Sequence, residues 1–143
     1  MNTIKTARFG EIEVDESKTI HFKDGLPGFQ KNKDFIILEH KPGSPFLWLQ
    51  SMDTPALAFV MINPFLIKRD YLQALSKEEE ALLKNENNDE LIVFTLVTIP
   101  RGQAEKATAN LMGPIVIESG TRNAKQVILA NSGYSHCQPI ILK

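Results

Sequence analysis

The chain predicts an all-β fold, a small antiparallel β-barrel-like or sandwich domain with one short helix. Short runs rich in Val, Ile, Phe and Thr recur from end to end, and Gly, Pro and Asp clusters break them every eight to twelve residues or so. Only one stretch carries a clear helix-start signal.

Ile4 to Ala7, Ile12 to Val14 and Thr19 to Phe22 read as the opening strands, separated by Gly10 and by Asp15-Glu16-Ser17. Asp24-Gly25-Leu26-Pro27-Gly28-Phe29 is a turn, in which glycine supplies positive φ, proline fixes its own φ, and Leu26 and Phe29 can fold back as anchors. Phe35 to Leu38, Phe46 to Gln50 and Leu57 to Ile62 follow as strands, parted by Lys41-Pro42-Gly43-Ser44-Pro45 and Asp53-Thr54-Pro55. Beyond Asn63-Pro64, Ser76 with Glu79 matches a capping box and predicts a helix from about Lys77 to Lys84, with Leu82 and Leu83 inward. Leu91 to Ile99, Ala107 to Leu111, Ile115 to Glu118, Gln126 to Leu129 and Ile140 to Leu142 complete the strands. There is no internal repeat and no linker long enough to divide residues 1–143, so a single domain is expected.

Composition excludes several classes. With 43% hydrophobic and 23% charged residues in 143, the chain is an ordinary globular sequence, able to build a core without a metal or disulfide staple. Its longest apolar runs, Phe59 to Ile62 and Leu91 to Phe94, fall far short of the ~20 residues of a membrane helix. No signal-peptide pattern opens the sequence, and Cys137 is its single cysteine, so the cytoplasm is the expected location. The net charge of −1 gives nothing to pull the whole chain onto nucleic acid.

A search for chemistry returns no catalytic residue, cofactor or metal site. His21, His40 and His136 lie on separate segments without a second ligand at metal-binding spacing. His136 and Cys137 are adjacent, and neighbours on a strand point to opposite faces, a poor arrangement for a nucleophile and its base. No G-x-S-x-G, P-loop or G-x-G-x-x-G occurs, and Asp24, Asp53 and Asp70 sit where aspartate commonly bonds its own backbone. The charge is nonetheless uneven. Ser76 to Glu90 holds six carboxylates, Glu78, Glu79, Glu80, Glu86, Asp89 and Glu90, against two lysines. A solvated helix face and a docking site for a basic partner are both compatible with that run.

The most distinctive block is TANLMGPIVI (Thr108 to Ile117), followed by KQVIL (Lys125 to Leu129). With FKDGLPGF (Phe22 to Phe29) and PFLWLQSMDTPALAFVMINP (Pro45 to Pro64), in that order and at comparable separations, it resembles the flagellar assembly factor FliW family across essentially the whole chain. Lys68 to Glu90 matches only in strand and acidic character, and His136-Cys137 matches no family feature.

The resemblance implies a non-catalytic β-barrel-like protein that binds other proteins. FliW-like proteins bind flagellin and, in many bacteria, CsrA, a small dimeric RNA-binding repressor of flagellin translation. A switch is implied: FliW freed by flagellin export captures CsrA and lifts repression, whereas accumulating flagellin occupies FliW and releases CsrA. The capture need not cover the RNA-binding surface, so antagonism can be allosteric or electrostatic. No direct nucleic-acid or membrane partner is expected, and the free protein is expected to be a monomer.

Three positions carry two readings each. Trp48 alternates with Phe46 and Gln50 while Leu47 and Leu49 face the other way, and its place is expected in the core, with an interface as the alternative. Asn110 is either a buried amide pinning the Gly113-Pro114 turn or a partner-facing one. Pro27 and Gly28 are turn architecture or a contact. Two rival classes predict other features: a nucleic-acid-binding barrel needs a basic groove with stacking aromatics, and Lys68-Arg69 beside Phe65 is too small for one. A small-ligand barrel or cryptic enzyme needs a cavity with convergent polar groups.

Overall fold

The computed structural model describes residues 2–39, 41–73, 75–83 and 90–141. Among them are eleven strands: β1 (Asn2–Thr6), β2 (Gly10–Val14), β3 (Ile20–Phe22), β4 (Asp34–Glu39), β5 (Phe46–Ser51), β6 (Ala58–Ile62), β7 (Leu91–Thr98), β8 (Thr108–Ala109), β9 (Ile115–Glu118), β10 (Asn123–Gln126) and β11 (Gln138–Pro139). The α-helix is α1 (Lys77–Leu82).

Seven strands form a closed ring in the order β7-β6-β5-β4-β3-β10-β9, with β9 returning to β7. A ring with an odd number of strands cannot alternate direction all the way round, so it must contain a parallel seam. That seam is β3–β10, where His21 lies opposite Asn123, and the other six ring pairings are antiparallel. The predicted β class therefore holds, while strictly antiparallel pairing does not. β7 is long enough to serve two neighbours on one side, β9 along Leu91–Phe94 and then β8 at Val97 and Thr98, and β8 carries β11 outward.

Alternation sorts the side chains. Phe35 and Ile37 of β4 point into the barrel, where Ile20, Phe22, Leu26, Leu49, Met61, Ile115, Ile117 and Ala124 fill the interior. Phe22 and Phe35 meet edge to face at 5.4 Å. Ile36 and Leu38 point outward, and the hairpin β1–β2 covers them with Ile4, Ile12 and Val14. Apolar cover on both faces explains why DFIIL reads as an unbroken apolar run.

Trp48 departs from its expected place. It is half-buried on the outer side of the barrel, opposite in direction to the fully buried Leu49. The hairpin tip closes over it: the Arg8 guanidinium stands 4.3 Å from its ring centroid and the Phe9 ring 6.3 Å away, edge on. Parity groups Phe46, Trp48 and Gln50 on one face, but it does not say which face looks inward.

Other departures from the expected elements have physical reasons. β10 begins at Asn123 because only Ala124 must face the packed interior, so its strand is mostly polar. Residues 127–129 run on beside 112–114 through Val127 N–H to Pro114 O and Leu129 N–H to Met112 O. β11 is Gln138–Pro139 rather than Ile140 to Leu142; proline is tolerated on this edge, and Ile140 instead packs against the buried cluster of Ile62, Tyr71, Ala109 and Leu111. Around α1 the inward residues are spaced by four, Leu75 before the helix, Glu79 within it and Leu83 at its C-cap, so Leu82 is turned outward and 44% exposed. Lys84, the predicted helix end, and Leu142 lie outside the described residues.

Candidate functional site

No three His, Cys, Asp or Glu side chains among the described residues stand close enough to share a metal ion. His21 Nδ1 lies 2.7 Å from Asp34 Oδ1 on the solvent side of β3–β4. His136 and Cys137 are exposed, and Cys137 N–H donates to Ser135 Oγ. His40 lies outside the described residues. No described helix is long and apolar enough to cross a membrane.

The distinctive sequence block forms a compact amide knot. Asn110 Oδ1 accepts from Met112 N–H at 3.1 Å and Gly113 N–H at 3.0 Å. From the other side Gln126 Nε2 donates to Gly113 O at 2.9 Å. A Cβ at Gly113 would stand 2.8 Å from Gln126 Nε2 and 3.0 Å from Asn110 Nδ2, so a larger residue would have to displace the ends of these amide side chains. Asn110 thus spends its oxygen on the turn, and it is half-buried rather than buried. Gln126 stands in the KQVIL run, but its bond to Gly113, 13 residues away, is legible only once the strands are folded.

Beside the knot, a pair of phenols clasps the segment after β6. Tyr71 Oη donates to Leu111 O at 2.5 Å, and Leu72 N–H donates to Tyr134 Oη at 2.8 Å. Burial, and secondarily the neighbouring Tyr134, push the Tyr71 phenol above its ordinary pKa, so it remains a donor. Leu72 sits at φ 70°, in the left-handed region that costs a side-chain-bearing residue of its size about 1 to 2 kcal/mol.

The acidic run divides. Glu78, Glu80 and Glu90 are exposed. Glu79, grouped with them as a surface charge, is only 4% exposed, and this part of the expectation is corrected. Ser76 Oγ accepts from Glu79 N–H at 3.2 Å, but the Glu79 carboxylate does not complete a capping box; its Oε2 accepts from Asn131 N–H instead. Glu79 therefore pins α1 to the segment after β10, and its Oε1 has no partner among the described residues. Glu86 and Asp89 lie outside the described residues.

A second acidic surface was not anticipated. On β2, Glu11 and Glu13 are exposed while Val14 is buried, and the exposed Asp15 and Glu16 continue the run. The Ser17 hydroxyl and then the Ser17 N–H bond Asp15 and lower its pKa, which keeps it ionised. The alternating acids in GEIEVDE were the available signal.

In the turn after β3, Leu26 is buried as an anchor, and Phe29 rests edge on against Phe59 at 5.3 Å while 40% exposed. Pro27 and Gly28 are both exposed. At Gly25, φ is 68° and a Cβ would fall 2.5 Å from the Gln30 Cα, so both conformation and space demand glycine.

A model of the FliW protein family matches residues 3–140. A flagellar assembly factor FliW of Bacillus licheniformis is 44% identical over 137 residues, covering 96% of this chain and 95% of the relative. One of Magnetococcus marinus is 39% identical over 138 residues, covering 96% and 84%. A crystal structure of the flagellar assembly factor FliW superposes with a TM-score of 0.83 at 34% identity, covering 98% of this chain and 97% of the other.

Proposed function

Because the chain belongs to the FliW family, we propose that it is a flagellar assembly factor that works without catalysis, by binding flagellin and the translational repressor CsrA in turn. Capture of CsrA relieves repression of flagellin translation, and occupation by flagellin restores it. The cytoplasm, where the message and both partners meet, is the place for this exchange, and the free protein is a monomer.

One observation carries the reading: the barrel interior is filled by aromatic and aliphatic side chains, with Phe22, Phe35, Leu49 and Met61 fully excluded from solvent, so the outer surface is left to do the work. CsrA must be basic to hold RNA, and Glu78, Glu80 and Glu90 suit a basic partner. Charges at a rim act on encounter more than on affinity, so a buried patch has to supply the rest. Moving CsrA from mostly RNA-bound to mostly captured needs a differential of about 5 kcal/mol. Asn110 contributes by holding the turn of TANLMGPIVI, whose Gly113 and Pro114 are buried, in one shape.

Co-purification of the tagged chain against CsrA and flagellin tests the proposal. Recovery of both, in mutually dependent amounts, is the expected result. Recovery of neither at micromolar concentration removes it.

A further inference from the structure

The two-stranded sheet β1–β2 stands apart from the barrel sheet, and among the described residues no strand pairs with the side of β2 that faces away from β1. The far side of β1, by contrast, is flanked by the loop at Met52 to Pro55, and Ala7 N–H donates to Pro55 O at 2.8 Å. An open edge is a ready template for another strand.

This edge is held in place before any partner arrives. Ile4 and Val14 bury against Ile36, and Arg8 and Phe9 clamp the hairpin tip onto Trp48. A pre-ordered edge loses little freedom on pairing. Its charge then selects the occupant. Glu11 and Glu13 are exposed on the same hairpin face, opposite Lys5 and Thr3, and no cation among the described residues lies within ion-pair distance of either carboxylate. Two copies pairing antiparallel about Ile12 would set Glu11 against Glu13, a like-charge contact that disfavours self-association.

We propose that the open edge of β2 is a strand-addition site for an extended, basic segment of a partner protein, one that brings Lys or Arg to alternate positions beside Glu11 and Glu13. Main-chain hydrogen bonds supply attraction, and the two carboxylates supply selection. This deepens the reading of CsrA as a partner by assigning the place where a basic protein lands.

Hydrogen–deuterium exchange of the full chain, alone and with purified CsrA or flagellin, tests the site without any substitution. The expected result is about tenfold slower exchange within Gly10–Val14 when CsrA is added, and about tenfold slower association at low salt for the Glu11→Lys/Glu13→Lys pair, with flagellin capture unchanged. CsrA binding with unaltered exchange in β2 and unaltered kinetics in the double variant overturns the site and leaves the proposed function standing. Failure to bind CsrA at all removes both. Protection of β2 that grows with the concentration of the chain alone assigns the edge to a second copy and also overturns the proposal.

Discussion

The amide knot at Gly113 and the phenol clasp at Leu72 meet at residues 110–113, and they constrain the backbone in opposite ways. At Gly113 the backbone lies outside the left-handed region, yet a Cβ would press on the ends of two amide side chains. At Leu72 the backbone is left-handed, where glycine would be natural, and a leucine is held there by the Tyr134 hydroxyl and by packing against two buried clusters, Ile62, Tyr71, Ala109 and Leu111 on one side and Val116, Val127 and Leu129 on the other. Glycine is therefore not a marker of one constraint. It answers space in the first case, and its absence in the second leaves strain that the neighbours must hold down.

The contrast can be broken experimentally, and the largest effect belongs to the clasp. Removing the Tyr71 hydroxyl leaves the buried Leu111 carbonyl unpaired, so Tyr71→Phe should cost about 1 to 3 kcal/mol in urea unfolding. The same variant sharpens a pH prediction. The folded state raises the Tyr71 pKa, so the neutral phenol's contribution is fully present below the unfolded value of about 10 and is lost as the pH climbs past it. Wild-type stability should fall above that point by up to about 1.4 kcal/mol per pH unit from this group, and the variant should lack that portion of the slope.

At the knot, Gly113→Ala should cost about 2 kcal/mol, because the added methyl displaces Gln126 from the Gly113 carbonyl. The penalty should shrink by about 1 kcal/mol in a Gln126→Ala background, and a double-mutant cycle showing no coupling would contradict the crowding account. At the clasp the usual order of small residues should reverse: Leu72→Gly should be more stable than Leu72→Ala by about 1 kcal/mol, since both lose the packing but only glycine escapes the strain. The smallest stability effect is expected for Glu78→Lys with Glu80→Lys, less than about 1 kcal/mol, while association with CsrA slows at low salt.

Much of the fold was legible because alternation and turn chemistry are local. The Asp24 to Phe29 turn, the strand limits near Phe46 and Ile115, and the N-cap at Ser76 all follow from neighbours in the chain. What stayed hidden is set by contacts distant in sequence. Trp48 could not be assigned to the outer face without the hairpin tip that covers it, and the parallel seam follows only from counting strands around a closed ring. Glu79 matches a capping box in pattern, yet Asn131, 52 residues away, claims its carboxylate. Of the candidate site, the distinctive block and its KQVIL run were visible, whereas the bond from Gln126 to Gly113 and the open edge of β2 were not, because neither a long-range amide bond nor a missing neighbour leaves a local trace.

Sedimentation velocity on the purified chain mixed with purified CsrA at micromolar concentration, before and after flagellin is added, tests the central claim most directly. A faster-sedimenting CsrA complex that flagellin depletes is the predicted result. Separate boundaries for every component, at all ratios and at low salt, would contradict a protein that acts by exchanging partners on its outer surface.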